Sequence, residues 1–202
     1  MAPWLAEKEV YLGSILVGKQ GHKGGIGRYP RAQRDILVTL NKDRGRFVTT
    51  MFDFYGMPPS WPGREEAGRS HHDRKASIIE KALSEDIANK MDRNFDPRRF
   101  LPYVQMYEFE ALLFSRPKAI ADAAGEPGLA QSLSAIREEF QSPELINDHP
   151  ETAPSKRIKK LYPGYQKPVT GAIAAQKIGI EAMLSECFHF QEWVRKLINT
   201  ET

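Results

Sequence analysis

The sequence predicts an α/β fold, in which a mostly parallel sheet is covered by helices on both faces and a helical C-terminal extension follows. Three β-branched or aliphatic segments alternate with segments of helical pattern, and Gly and Pro punctuate the boundaries. Strands that alternate with helices are joined by right-handed crossovers, which makes neighbouring strands parallel. We expect an α/β core over residues 1–115 and a helical extension over residues 116–202 packed on that core.

The predicted strands come from short runs rich in Val, Ile, Thr and Phe, which favour extended structure. They are VYLGSILVG (10–18), RFVTTMFDF (46–54) and FLPYVQMYEFEALLFS (100–115), of which the last passes into a helix near Glu108. The continuous apolarity of the second run predicts a strand that is buried on both faces.

Helices are predicted between these strands and along the C-terminal half. PRAQRDILVTLNKDRG (30–45) begins with proline, which suits a first helical turn, and stops at glycine. HDRKASIIEKALSEDIANKM (72–91) repeats apolar residues with the 3.6-residue period of a helix. Beyond residue 116, segments broken by Gly and Pro turns are also expected to be helical.

Composition excludes several classes of protein. The chain is 41% hydrophobic and 27% charged, and no apolar run approaches the roughly 20 residues that span a bilayer. The N-terminus lacks the basic and then apolar pattern of a signal peptide, and the single cysteine, Cys187, cannot form an internal disulfide. We therefore expect a cytoplasmic protein without membrane association, in which Cys187 is a buried small hydrophobe.

Basic residues are concentrated in two stretches, although the net charge of +3 is too small by itself to indicate nucleic acid. The first stretch, GKQGHKGGIGRYPRAQR (18–34), has neither Walker A nor dinucleotide spacing, but its glycines allow close backbone approach to a phosphate. The second is PSKRIKKLYPGYQKP (154–168). The candidate phosphate ligands are Lys19, His22, Lys23, Arg28 and Lys156. Two other interpretations stay open: a mobile linker for the glycine-rich stretch, and solvated surface for both.

Three carboxylates are candidates for chemistry. Asp53 ends a buried strand, and Glu108 and Glu110 follow the next one, so a parallel sheet would bring them to the same rim. If the YEFEALLF segment is extended, Glu108 and Glu110 share a face; if it is helical, they diverge by about 200°. Oxygen ligands of this kind suit Mg²⁺ or Mn²⁺. Glu110 has a second interpretation, as a first-turn carboxylate that stabilises a helix dipole.

Four motifs occur in order along the chain and carry a resemblance to a known family. They are GHKGG (21–25), TTMFDFYGMP (49–58), YEFEALLFS (107–115) and ELINDHPETAPSKRI (144–158). Taken together, they resemble the bacterial "domain of unknown function 4276" family over nearly the whole chain. That family is similar to the Toprim fold of topoisomerases, primases and OLD-type nucleases, in which an early-strand glutamate and a later Asp-x-Asp hold Mg²⁺.

The resemblance implies a Toprim-like three-layer sandwich, with Asp53 in the first aspartate position and Glu108 or Glu110 in a later acidic one. Tyr55 departs from this pattern, because it occupies the second aspartate position and a phenol with a pKa of about 10 is a poor Mg²⁺ ligand. The chain also opens at APWLAEKEVYL, where the helix after the family's first strand would end. We therefore expect that strand and its glutamate to be missing, which would leave sheet surface exposed.

The function that the resemblance implies is that of a Mg²⁺- or Mn²⁺-dependent phosphodiesterase related to nucleases, with nucleic acid as substrate. Members of the family are often encoded beside ATPases in loci that look like phage-defence cassettes, so an ATPase partner is expected. Two alternatives stay open, a non-catalytic subunit that docks an ATPase and a small-nucleotide phosphohydrolase. The sequence leaves the oligomeric state open.

Overall fold

The computed structural model of the protein describes residues 1–15, 26–146 and 150–201. The chain divides into two compact units. We call them the strand unit, which comprises Leu12–Gln105 with Lys196–Thr202, and the helical unit, which comprises Met1–Tyr11 with Met106–Arg195. Each unit contains buried apolar side chains of its own, such as Ile79 and Leu83 in the first and Leu112 and Ile120 in the second.

The helices, in chain order, are α1 Ala2–Ala6, α2 Tyr29–Lys42, α3 Arg64–Arg69, α4 His72–Lys90, α5 Glu110–Leu113, α6 Pro117–Ala124, α7 Ala130–Glu138, α8 Pro154–Leu161, α9 Ala172–Ile178, α10 Ile180–Glu186 and α11 Phe188–Ile198. The strands are β1 Val48–Thr49, β2 Phe52–Asp53, β3 Phe100–Leu101 and β4 Val104–Gln105. Short 3₁₀ turns and a π-helical segment at Lys167–Gly171 connect several of them.

The strand unit is built on two chain segments that run parallel. β1 pairs with β3, with Val48 opposite Phe100, and β2 pairs with β4, with Asp53 opposite Gln105. Between the two pairs the Thr50 hydroxyl donates to the Tyr103 carbonyl (3.0 Å) and accepts from the Tyr103 amide (2.9 Å). A side chain therefore bridges the segments where the regular ladder is interrupted.

Helices α2 and α4 pack on this parallel pair. Helix α4 contacts β3 and β4, and its Glu80 carboxylate accepts a hydrogen bond from the Val104 amide at 2.9 Å. The Tyr29 hydroxyl and the Gln33 side-chain amide of α2 both donate to the Asp86 carboxylate of α4. These polar contacts link α2 to α4 and α4 to β4.

The helical unit is organised around the short helix α5. Its apolar residues Ala111, Leu112 and Leu113 are fully buried, as is Phe114 directly after it. Helices α6, α8 and α9 contact α5, and α6 also packs on α7 and α9. A helix this short is stable only because neighbouring helices bury its whole surface.

The structure confirms an α/β fold with parallel strands, and the helices predicted over 30–45 and 72–91 are present as α2 and α4. The first predicted strand, over residues 10–18, is wrong for its described part, because residues 10–15 contain no strand. Tyr11 and Ile15 are instead 81% and 63% exposed, so their side chains bury too little surface to hold a strand in place. Residues 16–18 lie outside the described part.

The Toprim-like three-layer sandwich and the domain boundary at residue 115 stay predictions. Along the described ranges, no helix is both long enough and apolar enough to cross a membrane.

Candidate functional site

Asp53 is the last residue of β2 and lies half-buried at the carboxyl end of the β2/β4 pair. The chain then turns through a 3₁₀ segment, Phe54–Gly56, which the Asp53 side chain does not cap. Pro58 and Pro59 follow and prevent the strand from continuing. In parallel sheets, ligands bind at this end of the strands, so Asp53 stands where chemistry is expected.

Two cations flank the aromatic ring of Phe54, the residue after Asp53. The guanidinium carbon of Arg64 lies 3.9 Å from the ring centroid, and the Lys75 ammonium lies 5.7 Å from it. Phe54 is only 2% exposed and Lys75 is also buried. The residue directly after Asp53 therefore contacts two positively charged side chains, which helices α3 and α4 hold.

The position of Arg64 is set by the turn before α3. Gly63, the N-cap of α3, has φ of +72°, a left-handed conformation that glycine adopts without strain. A Cβ atom at Gly63 would approach the Ala82 Cβ and the Ile78 carbonyl oxygen to 3.0 Å. Glycine at this position therefore lets the start of α3 lie directly against α4.

Glu108 lies in the helical unit, and its carboxylate contacts the start of α8. Its Oε2 atom accepts a hydrogen bond from the backbone amide of Ser155 at 3.0 Å, in the first turn of that helix. A carboxylate at this place satisfies an otherwise unpaired amide and interacts favourably with the helix dipole. Glu108 therefore anchors the helix that carries Lys156.

Glu110 is the first residue of α5 and is only 2% exposed. The Tyr165 hydroxyl donates to its Oε1 atom at 3.2 Å, and the Lys167 ammonium lies 3.1 Å from its Oε2 atom. Burial raises the pKa of the Glu110 carboxyl, whereas Lys167 acts in the opposite direction. Burial and the nearby Glu110 also raise the pKa of the Tyr165 hydroxyl.

The helix thus begins at Glu110 rather than at Glu108, and Glu110 is a first-turn carboxylate, as one of its two interpretations predicted. Its contacts include an ion pair between the buried carboxylate and the half-exposed ammonium of Lys167. Metal binding by Glu108 and Glu110 stays a prediction.

The predicted phosphate ligands are only partly described. Lys19, His22 and Lys23 lie outside the described residues. Arg28 is exposed directly before α2, and Lys156 is exposed on α8. Lys159 and Lys160 are exposed on α8 as well, whereas Arg157 of the same helix lies 3.3 Å from the Glu139 carboxylate. Helix α8 therefore presents a lysine-rich surface to solvent.

A family model described as Domain of unknown function (DUF4276) matches residues 1–198. The chain belongs to the DUF4276 family. The membership confirms the resemblance carried by the four ordered motifs, whereas the relationship to the Toprim fold stays a prediction. No curated protein and no solved structure gives a significant match.

In this DUF4276 chain, no three His, Cys, Asp or Glu side chains among the described residues form a cluster that could hold a metal ion. Mg²⁺ sites in phosphoryl-transfer proteins nevertheless need only one or two carboxylates, together with waters and substrate phosphates. The carboxylate of Asp53 supplies the oxygen ligand that this chemistry requires, and it therefore fits such a cation.

Sequence patterns missed three charged groups of this DUF4276 chain that the structure brings into prominence. Arg64 follows a Pro-Gly turn and Lys75 lies within a predicted amphipathic helix, and neither position carries a motif. Glu144 is buried and accepts hydrogen bonds from the His189 and Phe190 amides, both at 2.9 Å, at the start of α11. Burial raises the pKa of the Glu144 carboxyl.

Cys187 is fully buried, as predicted, and its thiol lies 3.4 Å from the Ser115 hydroxyl. Burial raises the pKa of this thiol to about 12. A thiol with such a pKa is largely protonated at neutral pH and is a poor nucleophile. Cys187 is therefore a structural residue.

Proposed function

We propose that this protein is a Mg²⁺- or Mn²⁺-dependent phosphodiester hydrolase that acts on nucleic acid, with Asp53 as a metal ligand. The observation that carries the proposal is the position of Asp53 at the carboxyl end of two parallel strands, one residue before Phe54, whose ring lies close to two cations. A carboxylate that binds a divalent cation, next to groups that attract phosphate, is the combination that metal-assisted phosphoryl transfer uses.

A bound Mg²⁺ or Mn²⁺ would supply Lewis acidity toward a phosphoryl oxygen and lower the pKa of a water molecule. The contribution of the chain is positioning and charge. Asp53 holds its carboxylate on a turn fixed by the buried Phe54 ring, and Lys75 adds positive charge beside that ring. Charges in such a partly desolvated place act more strongly on a phosphate than charges in water.

Helix α8 supports nucleic acid rather than a small phosphate ester as the substrate class. Lys156, Lys159 and Lys160 are exposed within two turns of one helix, and no acidic side chain among the described residues forms an ion pair with them. Clustered lysines that are not neutralised locally favour a polyanion through release of its counterions.

The test is cleavage of single- and double-stranded DNA and RNA in the presence of Mg²⁺ or Mn²⁺. We expect a metal-dependent cut that the Asp53→Asn variant loses by about a hundredfold or more, the usual scale for loss of a group essential to the reaction. Asp122→Asn is the matched control, because Asp122 is exposed on α6 and the substitution is the same.

Cleavage that persists in Asp53→Asn would refute the proposed role of Asp53. Lack of cleavage of all four substrates, while the protein co-purifies with an ATPase equally well as wild type and as Asp53→Asn, would favour the alternative of a docking subunit. Cleavage of free nucleotides alone would favour the small-nucleotide phosphohydrolase.

A further inference from the structure

Arg64 is a partly buried cation without an acidic partner. Among the described residues, no Asp or Glu carboxylate lies within ion-pair distance of its guanidinium, although Glu65 and Glu66 follow it in sequence. Its Nε atom is buried and has no hydrogen-bond partner. Burial lowers the pKa of the Arg64 guanidinium, whereas nearby Tyr55 acts in the opposite direction. Among the described residues the guanidinium therefore has no carboxylate partner, and its Nε–H group is unsatisfied.

Such an arrangement is costly, because a buried donor that is not hydrogen-bonded loses its interaction with water without replacement. Stacking on Phe54, at 3.9 Å, engages the face of the guanidinium and leaves its buried Nε–H group without a hydrogen bond. The Lys75 ammonium lies 5.7 Å from the centroid of the same ring. Arg64 thus offers a positive charge and an unsatisfied donor to an anion.

The surrounding elements hold the guanidinium in place. Gly63 brings the first residue of α3 against α4, and Phe54 forms a buried platform under the side chain. A Cβ atom at Gly68, one turn further along α3, would lie 3.3 Å from the Arg64 Nη1 atom, so a larger residue there would crowd the guanidinium. Arg64 is therefore pre-organised, which lowers the entropy lost when a ligand binds.

We propose that Arg64 is the phosphate-binding residue of the site at the carboxyl end of β2, where the edge of its guanidinium receives a phosphate group of the substrate. The proposal deepens the proposed function, on which the choice of phosphate as the anion rests. A guanidinium donates two parallel N–H bonds to a tetrahedral oxyanion, which gives both charge and direction. Lys75 contributes a second positive charge from α4.

The experiment titrates inorganic phosphate into the metal-free protein by isothermal calorimetry. Arg64→Met keeps the length and the apolar packing of the side chain but removes the charge and the donors. Arg69→Met is the matched control, since Arg69 is exposed on the same helix and the change in net charge is identical. We expect Arg64→Met to weaken phosphate binding by at least about tenfold, whereas Arg69→Met binds like wild type.

Thermal unfolding distinguishes a binding role from a structural one. An arginine that stabilises the fold lowers the midpoint when it is replaced, whereas removal of a partly buried charge that has no carboxylate partner leaves the midpoint of the free protein unchanged or raises it. We expect the second result for Arg64→Met. Arg64→Lys, which keeps the charge but loses the fork of donors, is expected to bind phosphate with intermediate affinity.

The proposal is overturned if wild type binds no phosphate, if Arg64→Met binds phosphate as wild type does, or if Arg64→Met and Arg69→Met weaken phosphate binding equally. These outcomes are separable from failure of the proposed function. If no nucleic acid is cut but phosphate binding depends on Arg64, the hydrolase proposal fails and the anion site stands. If cutting occurs without Arg64-dependent phosphate binding, the reverse holds.

Discussion

At the residue scale, buried charged side chains of this protein are satisfied in different ways. Arg99 donates to the backbone carbonyl oxygens of Leu40, Asp43 and Arg46, at 2.7, 2.6 and 3.1 Å. These carbonyls belong to the end of α2 and the turn after it, where helical hydrogen bonds have run out. Arg99 therefore closes the C-terminal end of α2 as a side-chain cap.

Replacing Arg99 with methionine is expected to lower the free energy of unfolding by about 2–4 kcal/mol, because one buried and two partly buried hydrogen bonds to carbonyls are lost. Arg98→Met is the control, since Arg98 is exposed and bonds only to the exposed Asp96 carboxylate. We expect little change in that variant. Urea denaturation of both proteins measures the difference, and equal stability of the two variants would show that Arg99 is not a cap.

A pH dependence follows from Glu110. Burial raises its folded-state pKa above the usual value of 4.5, so the folded state binds more protons than the unfolded state as pH rises from there. The contribution of Glu110 to the stability of the folded protein is therefore fully present below pH 4.5, and it is lost as the pH rises through the raised pKa. Asp73 and Asp96 have lowered pKa values in the folded state. Their contribution to stability is therefore present above pH 3.8 and is lost as the pH falls below that value.

Glu110→Gln is therefore expected to flatten the decline in stability above pH 4.5. Glu138→Gln, a substitution of an exposed carboxylate on α7, serves as the control and should keep the wild-type slope. Urea denaturation across a pH series measures both slopes. A Glu110→Gln protein with the wild-type slope would mean that this carboxyl does not titrate as its burial indicates.

At the element scale, local sequence pattern predicted helices better than strands. Helices α2 and α4 could be predicted because their apolar period and their proline or glycine boundaries are local features. β1 and β2 are interrupted at Thr50, whose hydroxyl replaces ladder hydrogen bonds to Tyr103, a residue 53 positions away. Such a contact depends on tertiary structure, and no pattern within the strand reveals it.

The approach of α3 to α4 depends on Gly63. Gly63→Ala is expected to destabilise the protein by about 1–3 kcal/mol, because a Cβ would require a strained positive φ and would crowd Ala82 and the Ile78 carbonyl. Gly128→Ala is the control, because a Cβ there meets open space. Thermal unfolding compares the two, and a Gly63→Ala midpoint equal to that of Gly128→Ala would refute the close packing.

At the scale of the whole molecule, the basic character of the chain is local rather than general. The net charge is only +3, yet α8 exposes Lys156, Lys159 and Lys160 together. If this helix contacts the nucleic acid backbone, changing all three to glutamine should weaken binding and reduce its salt dependence. Each lost phosphate contact lowers the slope of log K against log salt by about 0.7–0.9.

The matched control changes the same number of exposed lysines elsewhere, at Lys42, Lys90 and Lys118, so that the net charge is identical. Fluorescence anisotropy with a labelled oligonucleotide, measured over a range of salt concentrations, gives both slopes. Equal loss in the two triple variants would mean that total charge, and not the surface of α8, governs binding.

The candidate site itself was only half predictable. Asp53 could be predicted because a carboxylate that ends an apolar strand is rare and costly unless it reaches an edge or a cation. Arg64 and Lys75 could not, because a turn and a helix separate them from Asp53 in sequence and only folding brings them to the Phe54 ring. For Glu110, the sequence suggested a candidate metal ligand, but no sequence motif could reveal that Tyr165 and Lys167 contact its carboxylate.

The most direct test of the central claim is the binding of Mn²⁺ to the purified protein. Binding is monitored by electron paramagnetic resonance, as the loss of the signal of the free ion. The claim that Asp53 is a metal ligand predicts that wild type and Asp122→Asn bind Mn²⁺ alike, whereas Asp53→Asn binds it at least about tenfold more weakly. Equal Mn²⁺ affinity in Asp53→Asn and wild type would contradict the account.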